Sequence, residues 1–169
     1  MIEIREIKPG DNDELAEVIK SVLIEFGADP KTTMLGDPSL YKMYENYLFD
    51  KAIFYVVLIN GKIVGGCGLK QLDGSADEDK TCELQRMYLL PETRGLGIGK
   101  LLMEMCLKKA EEFGYKLMYI ESLPQMEPAI AFHFDLLFAP NSGKLSGFGG
   151  FRISLYFLLL IMKSFLHND

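Results

Sequence analysis

The chain has 169 residues, 49% of them apolar and 25% charged, with a net charge of −6. That is the size and balance of a single globular domain with a real core, and the acidic balance without a visible basic patch excludes nucleic acid as a bulk partner. Cys67, Cys82 and Cys106 are odd in number, lack metal-ligand spacing and lie in apolar segments, so they read as buried free thiols in a reducing cytoplasm and no metal site is expected.

The opening MIEIREIK does not read as a signal peptide. Ile2, Ile4 and Ile7 alternate with charged residues, which predicts a short first strand. Pro9-Gly10-Asp11 turns the chain, and Asp11 or Asn12 is placed to cap a helix running to about Phe26. Its core stripe is Leu15, Val18, Ile19, Val22 and Leu23, and Gly27 ends it. A loop follows, then Pro38 to Phe49 reads as a second helix rich in tyrosine. Ala52 to Ile59 is almost wholly apolar and suits a strand buried on both faces. Asn60-Gly61 is a hairpin signal, and Lys62 to Leu69 returns as the next strand. Gly65, Gly66 and Gly68 weaken that strand and mark a bulge or a close approach. Gln71 to Lys80 is a polar, acidic loop.

The most specific stretch comes next. Thr81 to Leu90 predicts a strand stopped by Pro91. Arg94-Gly95-Leu96-Gly97-Ile98-Gly99 is a glycine-rich turn, and Ile98 to Ala110 carries the spacing of a one-sided helix. Glycine admits close approach to the main chain. A helix start offers unpartnered amides and the positive end of a dipole, and Arg94 and Lys100 add charge. This predicts a site for a phosphate or pyrophosphate. The turn is too short for a P-loop and reads GxGxG rather than the GxGxxG of a dinucleotide fold. It matches Arg/Gln-x-x-Gly-x-Gly/Ala, and ELQRMYLLPETRGLGIGKLLMEMCLKKA resembles the strand, turn and helix of the GNAT superfamily of N-acetyltransferases.

Gly114 ends the helix, and Lys116 to Ser122 reads as a strand parallel to the one before it. Pro128 opens a helix through Phe138, and Asn141 to Gly150 is a glycine-rich loop. The apolar centre of the tail, Ile153 to Met162, is too short for a membrane span, which needs about 20 residues. It suits a buried strand, or a homodimer with the last strands exchanged or paired. Residues 1–169 read as one domain whose tail diverges from about residue 139.

The resemblance covers residues 1 to about 132. It implies an α/β (α+β) fold: a central mixed, mostly antiparallel sheet, with parallel strands four and five splayed apart and about four helices around it. It implies acetyl-CoA as acyl donor, with the backbone of Met87, Tyr88 and Leu89 along the pantetheine and that of Arg94, Gly95, Leu96, Gly97, Ile98, Gly99 and Lys100 around the pyrophosphate. The acceptor is then an amine, by default that of a small molecule. Glu83 is the first candidate base, placed by strict alternation on one face with Gln85, Met87 and Leu89, and Glu121 is the second. Family members often carry a tyrosine near the end that faces the sulfur. Here Ala129-Ile130-Ala131-Phe132-His133 puts His133 in its place, and Leu137 replaces the following glycine. His133 is the candidate proton donor. Those departures also fit an impaired acyl-CoA-binding or regulatory module of the same fold. A nucleotide-binding protein using the turn for another phosphate is the third reading.

Overall fold

The computed structural model describes residues 1–29, 34–122, 131 and 152–155. Within these, β1 (Ile2–Glu6), β2 (Ile53–Ile59), β3 (Lys62–Gln71), β4 (Thr81–Leu89), β5 (Leu117–Ile120) and β6 (Arg152–Leu155) form one sheet in sequential order. The first four strands pair antiparallel, and β4–β5 and β5–β6 pair parallel. Helix α1 (Asn12–Glu25) covers one face and α2 (Ile98–Glu112) the other. Among the described residues, no helix is long and apolar enough to cross a membrane.

β2 shows why the sheet is filled on both sides. Ile53, Tyr55 and Val57 pack with Leu102, Met103 and Cys106 of α2. Phe54, Val56 and Leu58, the alternate residues, pack with Leu15, Ile19 and Leu23 of α1. The continuous apolar run is a strand with two buried faces, as expected. Asn60 and Gly61 turn the hairpin with φ of 52° and 83°, the left-handed pair that a two-residue turn of this hand requires. All three cysteines are free and buried, with Cys67 and Cys106 sulfurs 3.8 Å apart.

α1 is held by its entry. The Asp11 carboxylate accepts from both Arg5 nitrogens, at 2.7 and 2.8 Å, and from the Lys8 amide at 2.6 Å. Burial pushes this carboxyl up, but the Arg5 guanidinium and the Lys8 amide outweigh it and hold it below its usual value. A carboxyl lowered in this way stabilises the fold above its unfolded value, and that stability fades as pH falls through the folded value. Asp11→Ala is expected to lose about 2–4 kcal/mol at neutral pH. Urea titrations should show the gap from the native chain closing as pH falls through the lowered folded value. A gap independent of pH would rule out the ion pair as its source.

The expected helix over Pro38 to Phe49 is not there. The chain instead makes short 3-10 turns at Pro38–Lys42 and Glu45–Tyr47. The cause is tertiary. Asn12 Oδ1 takes the Tyr44 amide at 2.8 Å, and Asn12 Nδ2 donates to Glu45 at 2.8 Å. Asn46 donates to the Ser39 carbonyl at 2.9 Å. The Tyr44 amide and the Ser39 carbonyl, both claimed here by side chains, are backbone groups that a continuous helix would use. The other expected helix, Pro128 to Phe138, lies outside the described residues apart from Ala131, which is helical.

The glycines of β3 mark a close approach and a bulge together. A Cβ on Gly68 would collide with the Tyr47 hydroxyl, and one on Gly66 with the Phe54 ring. Those two rings stand 5.1 Å apart, centre to centre, on the α1 face. Gly68→Ala is expected to destabilise the chain by about 1–3 kcal/mol, the usual effect of overpacking. An unchanged melting temperature would mean that Tyr47 is free to swing aside.

Candidate active site

Two features of β4 build the site. The first is its divergence from β5. Their pairing runs from Thr81–Leu117 to Leu84–Ile120 and stops there, while β4 continues to Leu89. From Gln85 onward, no strand pairs with the β5-side edge of β4 among the described residues. The second is a bulge. Gly68 pairs with Gln85 but Gly66 pairs with Tyr88, so β4 carries one residue more than β3 across that step. Arg86, with φ of 54°, is the left-handed residue within it.

The bulge corrects the alternation expected along β4. Gln85 meets Tyr47, Arg86 meets Ser39, and Tyr88 packs with the α1 cluster. Met87 and Leu89 pack with the α2 cluster instead. Glu83, which is bonded to Gln85, therefore shares its face with Gln85, Arg86 and Tyr88 and not with Met87 and Leu89. Gln85 and Arg86, adjacent in sequence, face the same way. The spacing within β4 itself carries no sign of this, because one extra residue leaves its apolar pattern superficially intact.

Glu83 ends a hydrogen-bonded chain. The Tyr47 hydroxyl donates to Gln85 Oε1 at 3.1 Å, and Gln85 Nε2 donates to Glu83 Oε2 at 2.5 Å. Tyr47 is buried, which pushes its hydroxyl pKa far up and keeps it a donor. Glu83 is half-buried. Burial pushes its carboxyl up, Gln85 and Lys70 pull it down, Asp73 and Glu121 add to the rise, and the net direction is upward. Glu83 pairs in register with Tyr119 of β5. Glu121, two residues on, is exposed, with its carboxylate 3.4 Å from the Tyr119 hydroxyl. Both candidate carboxylates thus flank the start of the gap. His133 lies outside the described residues.

The turn follows β4 directly. The Arg94 amide donates to Pro91 and the Leu96 amide to Thr93, at 3.0 and 3.3 Å, so both are engaged within the turn. Gly95 and Gly97 have φ of 75° and 74°, with no atom within 4 Å of where a side chain would begin. The space before them is open. Ile98 starts α2, so the amides after Gly97 belong to a helix start. Lys100 is exposed beside them. The Arg94 guanidinium is held elsewhere, 2.6 Å from Glu25 at the end of α1 and over the Phe26 ring. An open glycine cradle at a helix start, following a strand that has diverged from its parallel neighbour, fits a pyrophosphate carrying an extended amide arm. Among the described residues, no group of three or more His, Cys, Asp or Glu is placed to hold a metal ion.

Residues 23–137 match the model of the acetyltransferase (GNAT) family. The chain belongs to the GNAT acetyltransferase family. It is 39% identical over 137 residues to the uncharacterized N-acetyltransferase YjgM of Escherichia coli, covering 80% of each chain. A GNAT acetyltransferase structure from Staphylococcus aureus superposes with a TM-score of 0.69 at 27% identity, covering 80% of this chain and 82% of that one. The PaiA N-acetyltransferase of Thermoplasma acidophilum, solved with coenzyme A, shares the fold at 21% identity and a TM-score of 0.62, over 80% and 87% of the two chains. The parallel, diverging fourth and fifth strands of this GNAT chain are the fold expected from the resemblance.

Proposed function

We propose that this chain moves an acetyl group from acetyl-CoA to the amine of a small molecule, by direct attack within a ternary complex. The observation that carries the proposal is the divergence of β4 from β5 after Leu84–Ile120, immediately upstream of the open turn at Gly95 and Gly97. Family membership and the coenzyme A bound to the fold neighbour from T. acidophilum support it. Bound acetyl-CoA supplies a thioester-activated acetyl group.

The chain's residues then have distinct tasks. The amides of Gly95, Gly97, Ile98, Gly99 and Lys100 hold the pyrophosphate. The edge of β4 at Met87, Tyr88 and Leu89, past the end of its pairing with β5, pairs with the pantetheine amides as an added strand would. Glu83 takes the proton from the acceptor ammonium, whose free pKa is about 10 for a lysine-like amine. Its raised proton affinity suits it to that transfer. Glu121 is the second candidate for the same role, and His133 returns a proton to the departing sulfur. Asp73 of the acidic loop acts electrostatically on Glu83, and the net charge of −6 favours a cationic acceptor over a neutral one. The protein is proposed to work in the cytoplasm.

The second reading, an acyl-CoA-binding module without turnover, is favoured by His133 and Leu137 at positions where the family carries tyrosine and glycine. Thiol release from acetyl-CoA, measured with polyamines, aminoglycosides and amino acids as acceptors, separates the two. Turnover with any of them supports the transferase. Micromolar binding without turnover would support the module, and the absence of both would remove both readings.

A further inference from the structure

The bulge places a cation, Arg86, on the face of β4 that carries Gln85 and Glu83, and the carboxylate paired with it among the described residues, Asp37, stands 3.8 Å away. Arg86 is only 18% exposed at its side chain. Its Nη2 donates to Ser39 Oγ at 3.0 Å and lies 3.8 Å from Asp37, and its Nη1 points at the Met43 sulfur. Asp37 is already occupied: it accepts from the Ser39 amide at 2.8 Å and from the Ser39 hydroxyl at 2.5 Å. At 3.8 Å its carboxylate is beyond hydrogen-bond range of Arg86. A guanidinium offers five donors, and a hydroxyl and a thioether are weak partners for a charge removed from water. Arg86 is close enough to Tyr47 and Tyr88 to act electrostatically on both hydroxyls. It lies on the same face of β4 as Gln85 and Glu83 of that hydrogen-bonded chain. No ion pair joins Arg86 to Glu83 among the described residues. An anionic and a cationic group thus stand on one face of one strand, each retaining capacity for a partner of opposite charge.

We infer that the acceptor is bipolar: its ammonium meets Glu83 and a carboxylate on the same small molecule meets Arg86, which makes a free amino acid the substrate class. This rests on the transferase reading above. An arginine fork matches a carboxylate in a way that no other cationic side chain does. A polyamine or an aminoglycoside, by contrast, would bring a second positive charge against Arg86 and be disfavoured. A protein N-terminus, whose α-carboxyl is an amide, would leave Arg86 without its anion.

The test compares each common amino acid with its own carboxamide, both in acetyl transfer and in calorimetric binding to the apo chain. The native chain is expected to prefer the acid over the amide by about 10- to 100-fold in kcat/KM, the range for a charge-assisted hydrogen bond to a buried group. Arg86→Gln is expected to erase that preference by raising KM for the acid, leaving the amide's KM unchanged. Ser39→Ala removes the hydroxyl that Arg86 grips but keeps the charge. If Arg86 only braces the 3-10 segment, both variants lower the melting temperature alike and the preference survives in both. That result, or equal use of acid and amide by the native chain, overturns the inference. Turnover of other amines with no acid preference would leave the transferase standing and the inference refuted. Absence of turnover with every acceptor would refute the transferase, and the binding comparison would still decide whether Arg86 selects a carboxylate.

Discussion

Gly97→Glu is expected to abolish acetyl-CoA binding, weakening it by at least about 100-fold, because it sets a like charge directly against the pyrophosphate. Gly97 stands at φ 74° with open space before it, so the new side chain meets no wall and projects where the phosphates belong. Strain is a second effect and has to be separated from charge. A left-handed backbone costs a non-glycine residue about 1–2 kcal/mol. Gly97→Ala carries that strain without the charge. Calorimetric titration with acetyl-CoA should therefore show a small loss for alanine and a near-complete one for glutamate, at similar melting temperatures. If alanine weakens binding as much as glutamate does, the turn matters through its shape and the anion site loses its main support. If neither variant changes binding, the acyl donor lies elsewhere.

Glu83→Gln is expected to lower kcat by about 10²–10⁴-fold, the usual contribution of a positioned general base, with acetyl-CoA affinity unchanged. The pH profile gives the sharper reading. A base must be unprotonated to act, so the rate of the native chain rises with pH through the Glu83 value. Burial holds that value above the ordinary carboxylate range, and the acid limb should be displaced upward accordingly. Gln85→Leu removes a donor that pulls the other way, and should move the limb further up. Stability runs opposite to activity. A carboxyl raised in the fold stabilises it below the unfolded value, and that stability is lost as pH rises through the folded value. Glu83→Gln should thus be at least as stable as the native chain at neutral pH, so its lost activity would not be lost folding. A full loss in Glu121→Gln, with Glu83→Gln active, would move the base to β5.

Much of this was readable in the residues because it rests on local physics. The two helical stripes, the doubly buried run of β2, the Asn60-Gly61 hairpin and the glycine turn before α2 each follow from spacing or backbone freedom. What escaped depends on distant partners. Nothing between Pro38 and Phe49 announces that Asn12, at the start of α1, takes the Tyr44 amide and breaks that segment into 3-10 turns. Nothing in TCELQRMYL shows that β4 carries one residue too many, since the excess is defined only against β3. The assignment of Gln85 and Arg86 to one face could not come from alternation for that reason. The glycines at 65, 66 and 68 are the one visible hint, and they mark both a bulge and a close approach.

The supernumerary character of Arg86 has an evolutionary consequence. Up to Gln85 and again from Met87, the strand presents each side chain to the face that the sheet's core requires. Arg86 falls between the two runs and belongs to neither register. It is a position whose side chain can change identity without refacing a neighbour along the strand. A lineage could therefore exchange the chemistry it offers to the acceptor through single substitutions at this one place, while selection for folding holds the rest of β4 fixed.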